Sequence, residues 1–178
     1  MKHFALACLG AASLTACSGD NTSTAPDKGV LMQNDFENLA GWIPDAANLS
    51  KEKAHSGQYS IKVDKDNEYS ITYRNLLGQL SPSRIRGVRV DAWAFTPEKN
   101  TPALLKISLN KTAGGEPAMT ESIDLASQVK EPGKWEKVSK EIVFPANTNY
   151  SSQLVVYLWR ADGGSTAYID DVVLTALP

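Results

Sequence analysis

The sequence predicts an all-β protein, built as a two-sheet antiparallel β-sandwich. Three observations predict it. Apolar and polar residues alternate with period two in a series of short runs, turn-forming dipeptides separate those runs, and no stretch of twelve or more residues carries a helical period. Period-two alternation puts every second side chain on one face of a pleated strand. Many short strands punctuated by turns build sandwiches or barrels, because each sheet must bury its apolar face against another.

The strands follow one another from Val30. Tyr59 to Val63 alternates cleanly, and Glu68 to Arg74 does so again. Val88 to Phe95, Leu104 to Asn110, Trp135 to Phe144, Leu154 to Arg160 and Tyr168 to Leu174 complete the set. Between them stand Ser56-Gly57, Ser81-Pro82, Thr96-Pro97, Gly114-Gly115, Pro132-Gly133 and Gly163-Gly164. Glycine enters positive φ without steric cost, and proline has no N–H for a ladder, so each pair ends a strand. Ile123 to Lys130 is the one segment expected to form a turn or two of helix. The sequence shows no internal repeat, and no second domain is expected.

The N-terminus reads as a targeting segment, to be set aside before the fold is considered. Lys2 and His3 precede an apolar stretch from Phe4 to Ser13 that is too short to span a membrane. It ends in Leu14-Thr15-Ala16-Cys17, which closely resembles the lipoprotein processing box. The resemblance implies cleavage before Cys17, a diacylglycerol on its thiol and acylation of the new amino group. Two or more acyl chains anchor a protein where one barely does. Ser18 stands where an inner-membrane retention signal usually carries Asp, so the resemblance implies lipid anchoring in the bacterial envelope, at the outer membrane. Residues 1–16 are thus expected to be the signal peptide, 17–29 a lipidated flexible tether rich in Ser, Thr, Asn, Asp, Gly and Pro, and 30–178 the sandwich.

Charge and cysteine content narrow the function classes. Eighteen Lys and Arg stand against 20 Asp and Glu, a net charge of −2 that becomes −3 when Lys2 leaves with the leader. That balance, with no Lys/Arg-rich block, gives no reason to expect nucleic acid as a partner, and membrane contact is expected through the lipid alone. Cys8 leaves with the leader and Cys17 carries lipid, so no thiol remains for a disulfide, a nucleophile or a zinc site.

Four stretches, in order, carry a family resemblance: Asn34-Asp35-Phe36-Glu37 with Gly41-Trp42; Ala54-His55-Ser56-Gly57 running into Gln58 to Val63; Gly133-Lys134-Trp135 to Val138; and Tyr168-Ile169-Asp170-Asp171 to Leu174. Together they resemble galactose-binding-like jelly rolls, and above all the carbohydrate-binding modules attached to xylanases and glucanases. The resemblance covers residues from about 30 to 178 and implies a non-catalytic domain that binds poly- or oligosaccharide. It further implies a structural calcium ion tying the N-terminal segment to the last strand. The matching candidates are Glu37 and Asp170, with Asp35 or the Ser56-Gly57 turn assisting. Calcium takes six to eight hard oxygens. The alternative is that these carboxylates accept backbone hydrogen bonds with no ion. Trp42 and Trp135 match positions that are structural in the resembled families, and both are expected to be buried.

Period two sorts the remaining aromatic residues. Val88, Val90, Ala92 and Ala94 share one face, and Arg89, Asp91, Trp93 and Phe95 the other. Leu105, Ile107 and Leu109 oppose Lys106, Ser108 and Asn110, and Leu154, Val156 and Leu158 oppose Val155, Tyr157 and Trp159. The aliphatic sets are candidate core. If these strands are neighbours, as the resemblance implies, Trp93, Tyr157 and Trp159 line one groove, with Arg89, Asp91, Lys106 and Asn110 beside them. Flat rings suit the C–H faces of a pyranose, the polar groups suit its hydroxyls, and the two cations suit a uronic acid.

Catalytic chemistry lacks its parts. His55 is the only histidine after processing, and no Ser-His-acid arrangement can be argued from a single turn histidine. Asp170 and Asp171 are adjacent in a strand, so alternation is expected to send them to opposite faces and to rule them out as a glycosidase pair. Two functions from different classes fit what remains: a surface glycan-binding module, or a structural or protein-interaction module of the envelope using the same aromatic face for a protein partner.

Overall fold

A computed structural model describes residues 29–41, 43, 48–161 and 163–177. The leader, Cys17, the tether as far as residue 28, and Trp42 lie outside the described residues. Ten strands and three single turns of helix follow in order: β1 (Val30–Asn34), a 3-10 turn (Glu37–Leu39), β2 (Leu49–Ser50), β3 (Ser60–Val63), β4 (Tyr73–Leu76), α1 (Leu77–Leu80), β5 (Gly87–Phe95), β6 (Leu104–Asn110), β7 (Pro117–Asp124), α2 (Leu125–Gln128), β8 (Trp135–Val143), β9 (Gln153–Trp159) and β10 (Ala167–Ala176). Among these elements no helix is long and apolar enough to cross a membrane.

All pairings are antiparallel and fall into two sheets. One runs β2-β3-β10-β5-β8, with β1 also on β10; the other runs β4-β9-β6-β7. The expected two-sheet sandwich is the observed one. Its core consists of the aliphatic sets that alternation singled out. Val88, Val90, Ala92 and Ala94 of β5 face Leu105, Ile107 and Leu109 of β6 and Leu154, Val156 and Leu158 of β9, and all are buried. Burial of each such larger side chain stabilises the fold by roughly 1.5–3 kcal/mol. At one open edge Lys140 of β8 reaches across to β7, its Nζ 2.7 Å from Glu121 Oε2 and 3.0 Å from the Ser122 carbonyl. That pair closes the gap between the two sheets with charge instead of hydrocarbon.

Two local readings change and a third holds. Pro117–Asp124 is a full strand, β7, although its alternation is weak: as an edge strand it buries only Ile123. The Glu68–Arg74 run breaks in two. Tyr69 makes an isolated bridge to Trp159, and regular pairing with β9 starts at Tyr73. Between them the Ser70 side chain takes over ladder duty, its Oγ accepting the Leu158 N–H at 2.9 Å. The helical turn expected within Ile123–Lys130 is α2, with the Asp124 carboxylate accepting the Ala126 N–H at its start.

On β10, β3 and β1 share one edge. β3 pairs with Ala167 to Ile169 and β1 with Val172 to Thr175. Between the two the register with β5 slips, and Asp171 takes the left-handed φ of 46°. Both ends of the described domain meet nearby, since the Ala176 N–H donates to the Gly29 carbonyl at 2.7 Å.

Candidate functional site: an aromatic cluster on the outer face of the four-stranded sheet

The strand order separates residues that alternation alone put together. Tyr157 and Trp159 stand on β9 and Lys106 and Asn110 on β6, adjacent strands in which Lys106 is opposite Tyr157 and Leu104 opposite Trp159. Trp93, Arg89 and Asp91 stand on β5, in the other sheet. Their outer face is the opposite side of the sandwich, so the seven expected groove residues do not share one groove. The error lay in adjacency: β5 pairs with β8 and β10, never with β6 or β9.

Each face has a distinct character. On the β5 side, residues 51–58 fold over the sheet. His55 lies on Trp93, ring centroids 3.9 Å apart and planes 13° from parallel. Phe95 is buried between Trp135 and Tyr168, at 5.6 and 5.8 Å, and Lys53 caps its ring at 5.3 Å. Trp135 itself is half-buried against Phe95 and the edge of His55. Arg89 and Asp91 neutralise each other at 2.9 Å, with Lys137 3.5 Å from the same carboxylate. Rings and charges on this side are occupied with one another.

On the β9 side the rings are exposed or half-buried. Tyr69, 52% exposed, lies almost parallel to Trp159, with centroids 6.4 Å apart and an interplanar angle of 10°. Tyr157 tilts against Tyr69 at 6.0 Å. The Trp159 indole N–H donates to Glu68 at 2.9 Å, which fixes the plane of the ring, and Lys106 Nζ sits 5.9 Å from its centroid, within cation–π range. Along the same face, Arg74 is opposite Val155, and Gln153 accepts from the Gly114 N–H and from Asn110. Ser108 and Val155 point outward yet are buried, so the middle of the face is sunk among longer neighbours. Desolvation of Tyr69, then the nearby Glu68 carboxylate, pushes the Tyr69 hydroxyl up. Beside Tyr157 and Arg74 an apolar cavity of about 300 Å³ leads in towards Phe36, Ile61 and Val172. Tyr69, Glu68, Arg74 and Gln153 were not among the expected site residues. Tyr69 had a visible signal, a ring in the period-two run that precedes Tyr73; Glu68 had none, since its role depends on the bridge to Trp159.

The acids expected to hold calcium gather at one loop. Asp170 is fully buried, and its Oδ2 accepts the N–H groups of His55 and Ser56 at 2.7 and 3.2 Å. Glu37 Oε1 accepts those of Gln58 and Tyr59 at 2.8 and 2.7 Å. Asp35 stays local, accepting the Glu37 N–H at 3.2 Å. Burial, opposed by these backbone donors, pushes the Asp170 carboxyl up. No basic side chain pairs with it among the described residues. Glu37 and Asp170 thus flank one loop, and each accepts backbone N–H groups from it, the arrangement these acids adopt without an ion. Among the described residues no three acidic, histidine or cysteine side chains converge, so backbone carbonyls would complete the shell of a calcium ion.

Asp171 departs from expectation. Its carboxylate meets His55 Nδ1 at 2.6 Å and Ser56 Oγ at 2.7 Å, the same two residues that Asp170 binds. The slipped register and left-handed backbone at Asp171 cancel the alternation, so both acids act on one side.

Residues 28–164 match the family described as carbohydrate binding domain. The chain belongs to that family. As a carbohydrate binding domain it matches binding modules and not the catalytic domain of a glycosidase, and it is non-catalytic. It is 28% identical over 150 residues to endo-1,4-beta-xylanase C of Paenibacillus barcinonensis; the match takes in 78% of this chain and spans only 14% of that enzyme. The CBM22-1 xylan-binding domain of Paenibacillus barcinonensis Xyn10C superposes with a TM-score of 0.52 at 17% identity, covering 83% of this chain and 95% of that one. The C-terminal family 22 module of Clostridium thermocellum Xyn10B gives 0.52 at 17%, covering 85% and 96%. At such identities the superpositions establish the shared fold.

Proposed function

We propose that this carbohydrate binding domain holds a xylan-like polysaccharide along the outer face of β4, β9, β6 and β7. The single observation that carries the reading is the parallel pair of exposed Tyr69 and half-buried Trp159, fixed by Glu68 and flanked by Tyr157 and Lys106. Two nearly parallel flat rings offer apolar faces to the C–H side of sugar rings, while Lys106, Arg74, Gln153 and Asn110 offer partners for hydroxyls. A β-1,4-linked xylose backbone is the favoured ligand because the similar modules are named for xylan binding. The trio Trp159, Tyr157 and Lys106 serves here, and Trp93, Arg89 and Asp91 serve the other sheet.

Titration of the full chain with xylohexaose, followed by tryptophan fluorescence and calorimetry, tests this. Trp159→Ala and Tyr69→Ala are each expected to weaken binding about ten-fold or more, as burial of an aromatic face contributes roughly 1.5–3 kcal/mol. Trp93→Ala should leave affinity unchanged. Wild-type affinity in Trp159→Ala, or failure of the native chain to bind xylo-, cello- or manno-oligosaccharides at millimolar concentration, overturns the reading.

The same reading places the domain on an envelope lipoprotein: leader 1–16, lipid on Cys17, tether 17–29, outer membrane. Its sequence basis is the Leu14-Thr15-Ala16-Cys17 box and Ser18. It also includes a structural calcium ion at Glu37 and Asp170.

A further inference from the structure

We propose a second binding site, for a saccharide bearing a carboxylate, at the end of the sandwich where β5 begins and β8 finishes. Two loops, residues 77–86 and 144–152, build that end. They interlock through the backbone: Leu77 N–H donates to the Ser152 carbonyl at 2.9 Å, Gly78 to Tyr150 at 3.0 Å and Phe144 to Arg86 at 2.9 Å. Two adjoining cavities of about 270 and 280 Å³ open between them and share the walls Arg84, Ile85, Ala146 and Thr148.

The chemistry of those walls points to an anionic sugar. Neither loop contains an Asp or Glu, although the chain as a whole is acidic, and Arg84 and Arg86 are both exposed. Arg84 donates from Nη2 to the Ala146 carbonyl at 2.6 Å, which holds its planar fork at the wall common to both cavities. A guanidinium so held is preorganised for a carboxylate. The exposed ring of Tyr150 lines the first cavity, anchored by its hydroxyl to the Pro82 carbonyl at 3.4 Å, with the amides of Asn147 and Asn149 beside it. Thr148 supplies the independent observation. The residue is 8% exposed, and its buried hydroxyl has no hydrogen-bond partner among the described residues. Buried hydroxyls are normally satisfied, and leaving one alone costs stability. Retaining such a group in the wall of a pocket fits a role in binding.

Concavity, amides and an aromatic ring suit a saccharide, whereas a lipid surface is met by protruding basic groups. The site is separate from the outer-face cluster. Gln153 lies at this end of β9, and Trp159 is six residues further on, roughly 20 Å at 3.4 Å per residue.

The test uses the full chain carrying Trp159→Ala, so that the outer-face cluster is impaired and failure of one site is distinguishable from failure of the other. Calorimetric titration with a xylo-oligosaccharide bearing one glucuronic acid should show one site. The same saccharide after carboxyl reduction should bind about ten-fold more weakly, and so should the acidic one to a variant also carrying Arg84→Ala, since a charge-assisted hydrogen bond is lost in each. Thr148→Val should weaken binding of the acidic saccharide while raising the thermal midpoint. Absence of binding to the Trp159→Ala chain, equal binding of the carboxyl-reduced saccharide, indifference to Arg84→Ala, or tighter association with phosphatidylglycerol vesicles than with the saccharide each overturns the proposal.

Discussion

Gly57 shows how one residue fixes the loop that covers β5. It has a φ of 56°, and a Cβ there would lie 2.3 Å from the Glu37 Cδ. The Glu37 carboxylate thus rests on bare backbone, where it can receive the Gln58 and Tyr59 N–H groups. Gly57→Ala meets both a conformational and a steric penalty and is expected to destabilise the domain by about 1–3 kcal/mol in chemical denaturation, with a cooperative transition retained. Trp93 belongs to the same assembly. Its ring is stacked beneath His55, so Trp93→Ala should cost stability, about 2 kcal/mol, rather than sugar affinity. Trp159→Ala should do the reverse. Measuring both properties for both variants separates packing from recognition, two roles that look identical in a one-dimensional string of aromatic residues.

At the scale of elements, alternation identified the faces of β5, β6 and β9 correctly, because each of these strands buries one side against the opposing sheet. It said nothing about neighbours. Which strands lie side by side is decided by long-range pairing, and the split of Trp93 from Trp159 follows from that. β7 was hidden for a related reason: an edge strand with one buried residue leaves little periodic signal. Asp171 was misread because a register slip is a three-strand event, the handover of β10 from β3 to β1, with no local signature. β3 and β10 also share a charged network. Tyr168 donates to Glu52 at 2.7 Å, and Lys62 lies 2.9 Å from the same carboxylate. The Tyr168 hydroxyl, then Lys62, hold Glu52 below 4.5. Burial, then Glu52, push Tyr168 up to about 12. The Glu52 contribution is therefore present above pH 4.5 and lost as pH falls through its lowered folded value, and the Tyr168 contribution is complete below pH 10 and lost as pH rises through about 12. In Glu52→Gln the acid limb of the stability profile should flatten by less than about 1 kcal/mol, because Glu52 is exposed and screened.

For the whole molecule, Glu37 near the start and Asp170 near the finish hold one loop between them, so any ion at that place staples regions far apart in sequence. Saturating calcium is expected to raise the unfolding midpoint by roughly 5–10 °C over protein treated with EDTA. An unchanged midpoint would mean that the backbone N–H groups alone complete the clamp. Membrane attachment has its own measurement: Cys17→Ser should move the protein from the membrane pellet to the soluble fraction. The antiparallel partnership of β1 with β10 carries one more consequence, for anyone rebuilding this domain. Gly29 and Ala176 lie within a hydrogen bond of each other, so a linker of a few residues can close the backbone into a circle. New termini opened in an exposed hairpin, such as that at Gly114, would then free this end of the molecule from any fused passenger.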